Sequence, residues 1–183
     1  MGAFVEEAAR CVASVLQSRN VDSLPPLPEE SSVLRISKAD YDLIRWEAEH
    51  SYPNECCGII LGTLEGGRRL VTMTLKCENA RSDAARRRYS IHPEQVVAAL
   101  KLARSRAESI VGFYHSHPDC PPQYSTTDLT EAHWFGCSYV ITSVDKGRAA
   151  ATDSYVLVGS EERKRFQAEE IEIVANAQPL GVA

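Results

Sequence analysis

The pattern of apolar and polar positions divides the chain into helix-like and strand-like segments. Apolar residues at helical spacing predict helices at 3–18, in SKADYDLIRWEAEH (37–50), in HPEQVVAALKLARSRA (92–107) and in LTEAHWFG (129–136). Apolar runs predict five strands, CGIILG, RRLVTMTLKC, SIVGFYHSH, SYVITSV and ATDSYVLVG, followed by a charged tail. Trp46 and Trp134 fall at helical positions and are expected in the core. Helices and strands alternate without repeats, so the predicted class is α/β or α+β with a mixed sheet.

A proline-rich segment predicts how the chain divides. The stretch DSLPPLPEESS carries three prolines, which favour a stiff, extended connector. The predicted organisation is therefore an N-terminal amphipathic helix at 1–21, a linker at 22–32, a main domain at 33–175 and a tail at 176–183. Two roles stay open for the N-terminal helix, which either covers the core of the main domain or binds a partner.

Composition excludes several classes of function. The formal net charge of −5 over 183 residues gives no general attraction to nucleic acid. No apolar run approaches the roughly 20 residues of a membrane-spanning helix, and the N-terminus, with Glu6 and Glu7, does not resemble a secretory leader. The six cysteines include no CxxC pair, which favours reduced thiols in a cytoplasmic protein.

The stretch YHSHPDCPPQYSTTD (114–128) places four candidate functional residues at short spacing. His115 and His117 share one face of a predicted strand, and Pro118 ends that strand. Ser125 and Asp128 have the spacing of a capping box, which puts a carboxylate in the first turn of the next helix. Two imidazoles and one carboxylate suit zinc, and three protein ligands leave a fourth position for water, as catalytic sites do.

A zinc-activated water also needs a proton acceptor, and the candidate is Glu55 in YPNECCGIILG. Taken alone, Glu55 is more consistent with a surface acid in a turn after Pro53 than with a catalytic base. Cys120 follows His117 by three residues, and it is interpreted as a loop thiol, although a thiolate there could bind zinc.

The sequence HSHPDCPPQYSTTD fits the pattern His-x-His-Pro-x(6)-Ser-x-x-Asp, and it resembles the signature of the JAMM (MPN+) zinc metalloproteases. PNECCGIILG is similar to the segment that supplies the catalytic glutamate in that family, and RRRYSIHPEQ and GCSYVITSV resemble its compact bacterial branch. The resemblance implies a cytidine-deaminase-like fold. It implies one catalytic zinc ion held by His115, His117 and Asp128, with Glu55 activating the zinc-bound water and Ser125 donating to the oxyanion.

The resemblance also implies a substrate and partners. Members of this family cleave the amide or isopeptide bond after the C-terminal Gly-Gly of a ubiquitin-like or sulfur-carrier protein, and E1-like and E2-like conjugation enzymes are further implied partners. The short segments after Gly62 and Asp128 disfavour the linkage-specific deubiquitinases, which have long insertions there. One alternative is a non-catalytic MPN scaffold that docks through the N-terminal helix. A nucleobase deaminase is excluded, because its His-x-Glu and Pro-Cys-x-x-Cys motifs are absent.

Overall fold

The computed structural model describes residues 32–175, which form seven strands and three helices. In chain order these are β1 (Val33–Ser37), α1 (Lys38–Ser51), β2 (Cys57–Glu65), β3 (Arg68–Cys77), α2 (Pro93–Ser105), β4 (Ser109–Pro118), α3 (Thr126–Glu131), β5 (Ser138–Asp145), β6 (Arg148–Val158) and β7 (Arg165–Val174). These elements confirm a mixed α+β fold with one sheet and few helices.

The strands close into a barrel in the order β1-β3-β2-β4-β5-β6-β7, and β7 pairs with β1. The pairs β1–β3, β1–β7 and β4–β5 are parallel, and the other four neighbouring pairs are antiparallel. Gly66 and Gly67 join β2 to β3, and both have positive φ, as a two-residue hairpin turn of this kind requires. β4 lies between β2 and β5, and its residues from Ile110 to His117 are buried. The histidine pair is thus part of an interior strand.

Two apolar clusters lie on opposite faces of β2, because successive residues of a strand point to opposite sides. Ile60 belongs to the cluster that α1 covers with Ile44 and Ala48. Ile59 belongs to the cluster that α2 covers with small residues, Ala99 and Ala103. α1 begins where the Ser37 hydroxyl accepts a hydrogen bond from the Asp40 amide at 3.0 Å, and α2 begins with Pro93 in its first turn.

Gly58 lets a large side chain lie against β2 beside the histidines. A Cβ atom added at Gly58 would lie 2.2 Å from the ring of Tyr114. This is a steric clash, so only glycine fits while the ring keeps its position. The Tyr114 hydroxyl donates to the carboxylate of Glu47 on α1, and both side chains are buried. Because Tyr114 precedes His115, this contact fixes the strand directly before the first histidine.

A buried ion pair lies where β7 and β3 flank β1. The Arg69 guanidinium donates to the Glu169 carboxylate at 2.8 Å, and neither side chain is more than 8% exposed. Arg69 also donates to the Gly136 carbonyl, and Glu169 accepts from the Ser154 hydroxyl at 2.6 Å. The two charges are therefore paired and further hydrogen-bonded, as buried charges must be.

Several predicted elements differ from the structure. The helix expected at 129–136 is α3, six residues long, and it ends before Ala132, which is extended. Trp134 leaves the helix and packs its ring 5.4 Å from that of Phe113. The expected charged tail is strand β7 over Arg165–Val174, in which Arg165 and Glu170 are exposed and Glu169 is buried in the ion pair with Arg69. Trp46 is 50% exposed, so its expected place in the core is wrong.

Some predictions fall outside the described residues. The N-terminal helix at 1–21, the linker at 22–31 and the tail at 176–183 are among them. Within 32–175, no helix has the length and apolar character needed to cross a membrane.

Candidate active site

β4 carries both histidines into the interior at its C-terminal end. His115 lies opposite Cys57 of β2 and Ile141 of β5, and His117 lies opposite Ser143 of β5. His115 is 1% exposed and His117 is 8% exposed. The ring of Tyr89 stacks on that of His115 with centroids 4.5 Å apart. The two imidazoles are therefore fixed by the sheet and, for His115, by an aromatic neighbour.

Asp128 is held by the capping box at the start of α3. The Ser125 hydroxyl accepts from the Asp128 amide at 3.1 Å, and the Asp128 carboxylate accepts from the Ser125 amide at 2.6 Å. This reciprocal pair confirms the cap predicted from the spacing of Ser125 and Asp128. It also fixes the direction of the carboxylate, which points towards the histidines.

The three side chains converge on one point. Nε2 of His115 lies 3.0 Å from Nε2 of His117, and the Asp128 carboxylate oxygens lie 3.5 Å from the former atom and 3.4 Å from the latter. Ligand atoms at zinc bonding distance in a tetrahedron are separated by about 3.3 Å. The observed separations fit that value, so the cluster matches the ligand spacing of a small tetrahedral cation.

The protonation pattern also fits a cation. The Pro121 carbonyl can only accept, so Nδ1 of His117, 3.0 Å away, donates to it, and Nε2 of His117 presents a lone pair to the cluster. Nδ1 of His115 is buried and has no hydrogen-bond partner among the described residues. The lone pair on Nε2 of His117 and the Asp128 carboxylate therefore face the same point, and two electron-rich groups at this distance are stabilised by a cation between them.

The electrostatics of the cluster follow from burial and from Asp128. Burial lowers the pKa of His115. Burial also opposes the charged form of His117, but the hydrogen bonds to Asp128 and to the Pro121 carbonyl, together with the charges of Asp128 and Glu55, outweigh burial and raise the pKa of His117. Burial raises the pKa of Asp128, yet its interactions with both histidines and the hydrogen bond from the Ser125 amide together outweigh burial, and the pKa lies well below its usual range. Asp128 is therefore an anion at neutral pH, as a metal ligand should be.

Glu55 lies two residues before β2 and is 6% exposed. Burial raises its pKa to about 8, with the charge of Asp128 adding to the effect and that of His117 opposing it. Those two influences show that Glu55 is electrostatically coupled to the ligand cluster. Glu55 also lines a cleft of about 620 Å³ whose walls include Asn54, Lys76 and Gln95. None of the three clustered ligands is among the residues that line that cleft.

The Ser125 hydroxyl remains able to donate a hydrogen bond. In the cap it acts as an acceptor, through a lone pair. Among residues 32–175 no acceptor takes its proton, so capping and donation to a ligand do not compete for the same atom. The two roles considered for Ser125 are therefore compatible.

Two residues outside the sequence motif also contact the site. Tyr89, in the loop before α2, stacks on His115, and Asn79, after β3, donates to the backbone carbonyl of Glu55 at 3.3 Å. Neither residue belongs to the metal-ligand motif, so spacing gave no signal for it. Cys120 is an exposed free thiol outside the group of three ligands, and His133 pairs with Glu161 at 3.2 Å.

A family model described as prokaryotic homologs of the JAB domain matches residues 37–167 of this chain. The chain belongs to this family. The JAB family is the one to which the histidine-aspartate motif pointed, and its model spans β2 to β6 and the whole candidate site.

Three individual proteins are also similar to this chain. The desampylase of Haloferax volcanii is 38% identical over 99 residues, which cover 54% of this chain and 68% of the relative. A solution structure from Salinibacter ruber is 36% identical, with a TM-score of 0.58, and the match covers 79% of this chain and 95% of that one. A solution structure from Desulfitobacterium hafniense has a TM-score of 0.67 at 24% identity, covers 78% and 94% of the two chains, and supports the fold.

Proposed function

We propose that this chain is a zinc-dependent isopeptidase or peptidase that hydrolyses the bond after the C-terminal Gly-Gly of a ubiquitin-like or sulfur-carrier protein. The observation that carries the proposal is the convergence of His115, His117 and Asp128, whose ligand atoms all lie within 4.8 Å of one another, beside a buried glutamate. The similarity to a desampylase supports the reaction type and the substrate class.

His115, His117 and Asp128 would hold the zinc ion through two imidazole nitrogens and one carboxylate oxygen. A zinc ion held there supplies Lewis acidity, which polarises a carbonyl and makes a water molecule more acidic. The buried positions of the two histidines keep bulk water away from the ligands, and the capping box keeps Asp128 in place.

Glu55 would move the proton in both halves of the reaction. Its carboxylate accepts a proton from the attacking water, and its carboxyl group then donates that proton to the leaving amine. Burial raises the pKa of Glu55 to about 8 without a metal ion, and a divalent cation held by the three ligands would lower it towards neutral pH, where a carboxyl group serves in both directions. The Ser125 hydroxyl would donate to the oxygen that gains negative charge when the carbonyl is attacked.

The proposal also covers the bounds of the catalytic domain, its fold type, its cellular location and its partner enzymes. We propose that the catalytic domain spans 33–175, that its fold is cytidine-deaminase-like and that the protein acts in the cytoplasm. E1-like and E2-like enzymes that conjugate the same carrier are the proposed functional neighbours. Neither the short β2–β3 hairpin nor the six-residue α3 carries a long insertion, which favours a compact enzyme over a linkage-specific deubiquitinase.

The test is cleavage of small ubiquitin-like carriers that are extended beyond Gly-Gly, followed by intact mass. Native protein should release the extension after Gly-Gly, and Glu55→Gln should lose at least about 10³-fold in rate, because the proton acceptor is gone. Glu65→Gln, at the opposite end of β2, is the matched control and should cleave at the native rate.

Cleavage by Glu55→Gln at the native rate contradicts the assigned role. A chain that binds zinc and cleaves no carrier contradicts the substrate class, and a chain that purifies without metal after zinc supplementation favours the scaffold alternative.

A further inference from the structure

The Asn79 side chain makes four hydrogen bonds to backbone groups, and one of them is to Glu55. Its side-chain Nδ2 donates to the carbonyls of Glu55 at 3.3 Å and Arg88 at 2.9 Å. Its Oδ1 accepts from the amides of Arg81 at 3.0 Å and Ser90 at 3.2 Å. An amide side chain has two N–H donors and two acceptor lone pairs, so Asn79 uses its full capacity on four backbone groups.

These bonds connect Glu55 to the loop between β3 and α2, residues 80–90, which we call the arginine loop because it contains Arg86, Arg87 and Arg88. A second connection comes from the loop itself, since the Glu55 amide donates to the Ala85 carbonyl at 2.7 Å. The amide and the carbonyl of Glu55 are therefore both bound by this segment, one by the loop backbone and the other by Asn79.

The β-ladder does not replace these bonds. The paired register of β2 starts at Cys57 on both sides, so Glu55 precedes the first ladder pair. Cys56 is fixed by its own contacts with Ser116, whose hydroxyl accepts from the Cys56 amide at 2.9 Å. Beyond Cys56, the position of the backbone depends on Ala85 and Asn79.

We propose that Asn79 is a positioning residue for Glu55, holding its backbone so that the buried carboxyl faces the ligands His115, His117 and Asp128. The inference rests on the proposed role of Glu55 as proton acceptor. Replacement of Asn79 by alanine leaves the Glu55 carbonyl without its side-chain donor and leaves both ends of the arginine loop without their shared partner. A displacement of about 1 Å in a reacting group costs on the order of 10²-fold in rate.

The first arm of the test needs no substrate. Amide hydrogen exchange is measured residue by residue in native protein and in Asn79→Ala. The amides of Glu55, Arg81 and Ser90 should exchange at least about 10-fold faster in the variant, because the loop that holds them is released. The control is Glu49→Ala, which removes a comparable side-chain bond to the Ala149 amide (2.8 Å), between α1 and β6. Exchange at Glu55 should stay at the native rate in this control. Native protection of the Glu55 amide in Asn79→Ala overturns the proposal.

The second arm uses the carrier extension that native protein cleaves. Asn79→Ala should lower kcat by about 10- to 100-fold with KM changed less than about 2-fold and zinc content unchanged, whereas Glu49→Ala should alter none of them. Asn79→Asp keeps acceptors for Arg81 and Ser90 but cannot donate to Glu55, so it should lose as much rate as Asn79→Ala.

A double variant separates positioning from general destabilisation. In the Glu55→Gln background, Asn79→Ala should cause less than about 2-fold further loss, because the group that it positions no longer takes a proton. A full additional loss in that background, or a native kcat in Asn79→Asp, overturns the proposal. If native protein cleaves no carrier at all, the proposed function fails, and the exchange measurement still decides whether Asn79 fixes Glu55.

Discussion

Glu55→Gln should stabilise the metal-free protein, and the gain should depend on pH. Burial raises the pKa of Glu55 from 4.5 to about 8. Between these two values the folded protein keeps the proton and the unfolded chain releases it. The folded state then binds more protons, so the free energy of unfolding of the native protein falls as pH rises through this window. Glutamine has nearly the same shape and no titration, so the variant lacks this loss.

The size of the effect follows from the shift. Each pH unit above 4.5 removes about 1.4 kcal/mol, up to about 5 kcal/mol at pH 8 and about 3 kcal/mol at pH 7. For a domain of this length, 3 kcal/mol corresponds to roughly 10 °C in Tm. The histidines and Asp128 also titrate, but they are common to both proteins and cancel to first order in the difference.

The assay is urea unfolding of chelator-treated native protein and Glu55→Gln from pH 4.5 to pH 8. The two free energies of unfolding should be within about 1 kcal/mol at pH 4.5 and should diverge steadily above it. A difference that does not change with pH would show that Glu55 is not held neutral by burial. A variant less stable than native protein at pH 7 would contradict the sign of the argument.

Two further predictions concern the metal cluster and the buried ion pair. Asp128→Asn should reduce bound zinc from one equivalent to less than about 0.1, measured by elemental analysis. The far-UV circular dichroism of the barrel should be retained, and full zinc occupancy would exclude Asp128 as a ligand. Arg69→Met should lower the free energy of unfolding by about 3–5 kcal/mol in urea titration, because Glu169 is left buried without its cation. The double variant Arg69→Met/Glu169→Leu should lose less free energy of unfolding than Arg69→Met alone, because no unpaired charge stays buried. An additive loss in the double variant would show that the unpaired Glu169 is not the cause.

Local patterns predicted the parts of the fold that depend on neighbouring residues. The Ser125 cap is confirmed because it needs only a hydroxyl and a partner three residues on. The same locality explains the convergence at the metal cluster, where a strand places His115 and His117 on one face and a cap fixes Asp128. The roles of Glu55 and Ser125 in catalysis stay predictions that the proposed assays test.

Features that depend on distant contacts were not predictable in this way. β1 is five residues long and is recognisable only through its pairing with β3 and β7. The sequence of β7 resembles a charged tail because Glu169, which is buried against Arg69 of β3, cannot be told from its exposed neighbour Glu170 without the fold. The position of Asn79 in the sequence does not indicate a role. Its side chain matters because it bonds Glu55, Arg81 and Ser90, and Glu55 is distant from the other two along the chain.

The capping box links metal affinity to helix formation. α3 has six residues, too few to be stable in isolation, and the carboxylate that completes its cap is the one that completes the ligand set. Ion binding and helix formation therefore stabilise each other by the same free energy, as linkage requires. A cap worth about 1 kcal/mol then corresponds to roughly 5-fold in metal affinity. If the proposed site binds its ion, chelation should accordingly weaken the first turn of α3, so the local order of this helix should report whether the site is loaded.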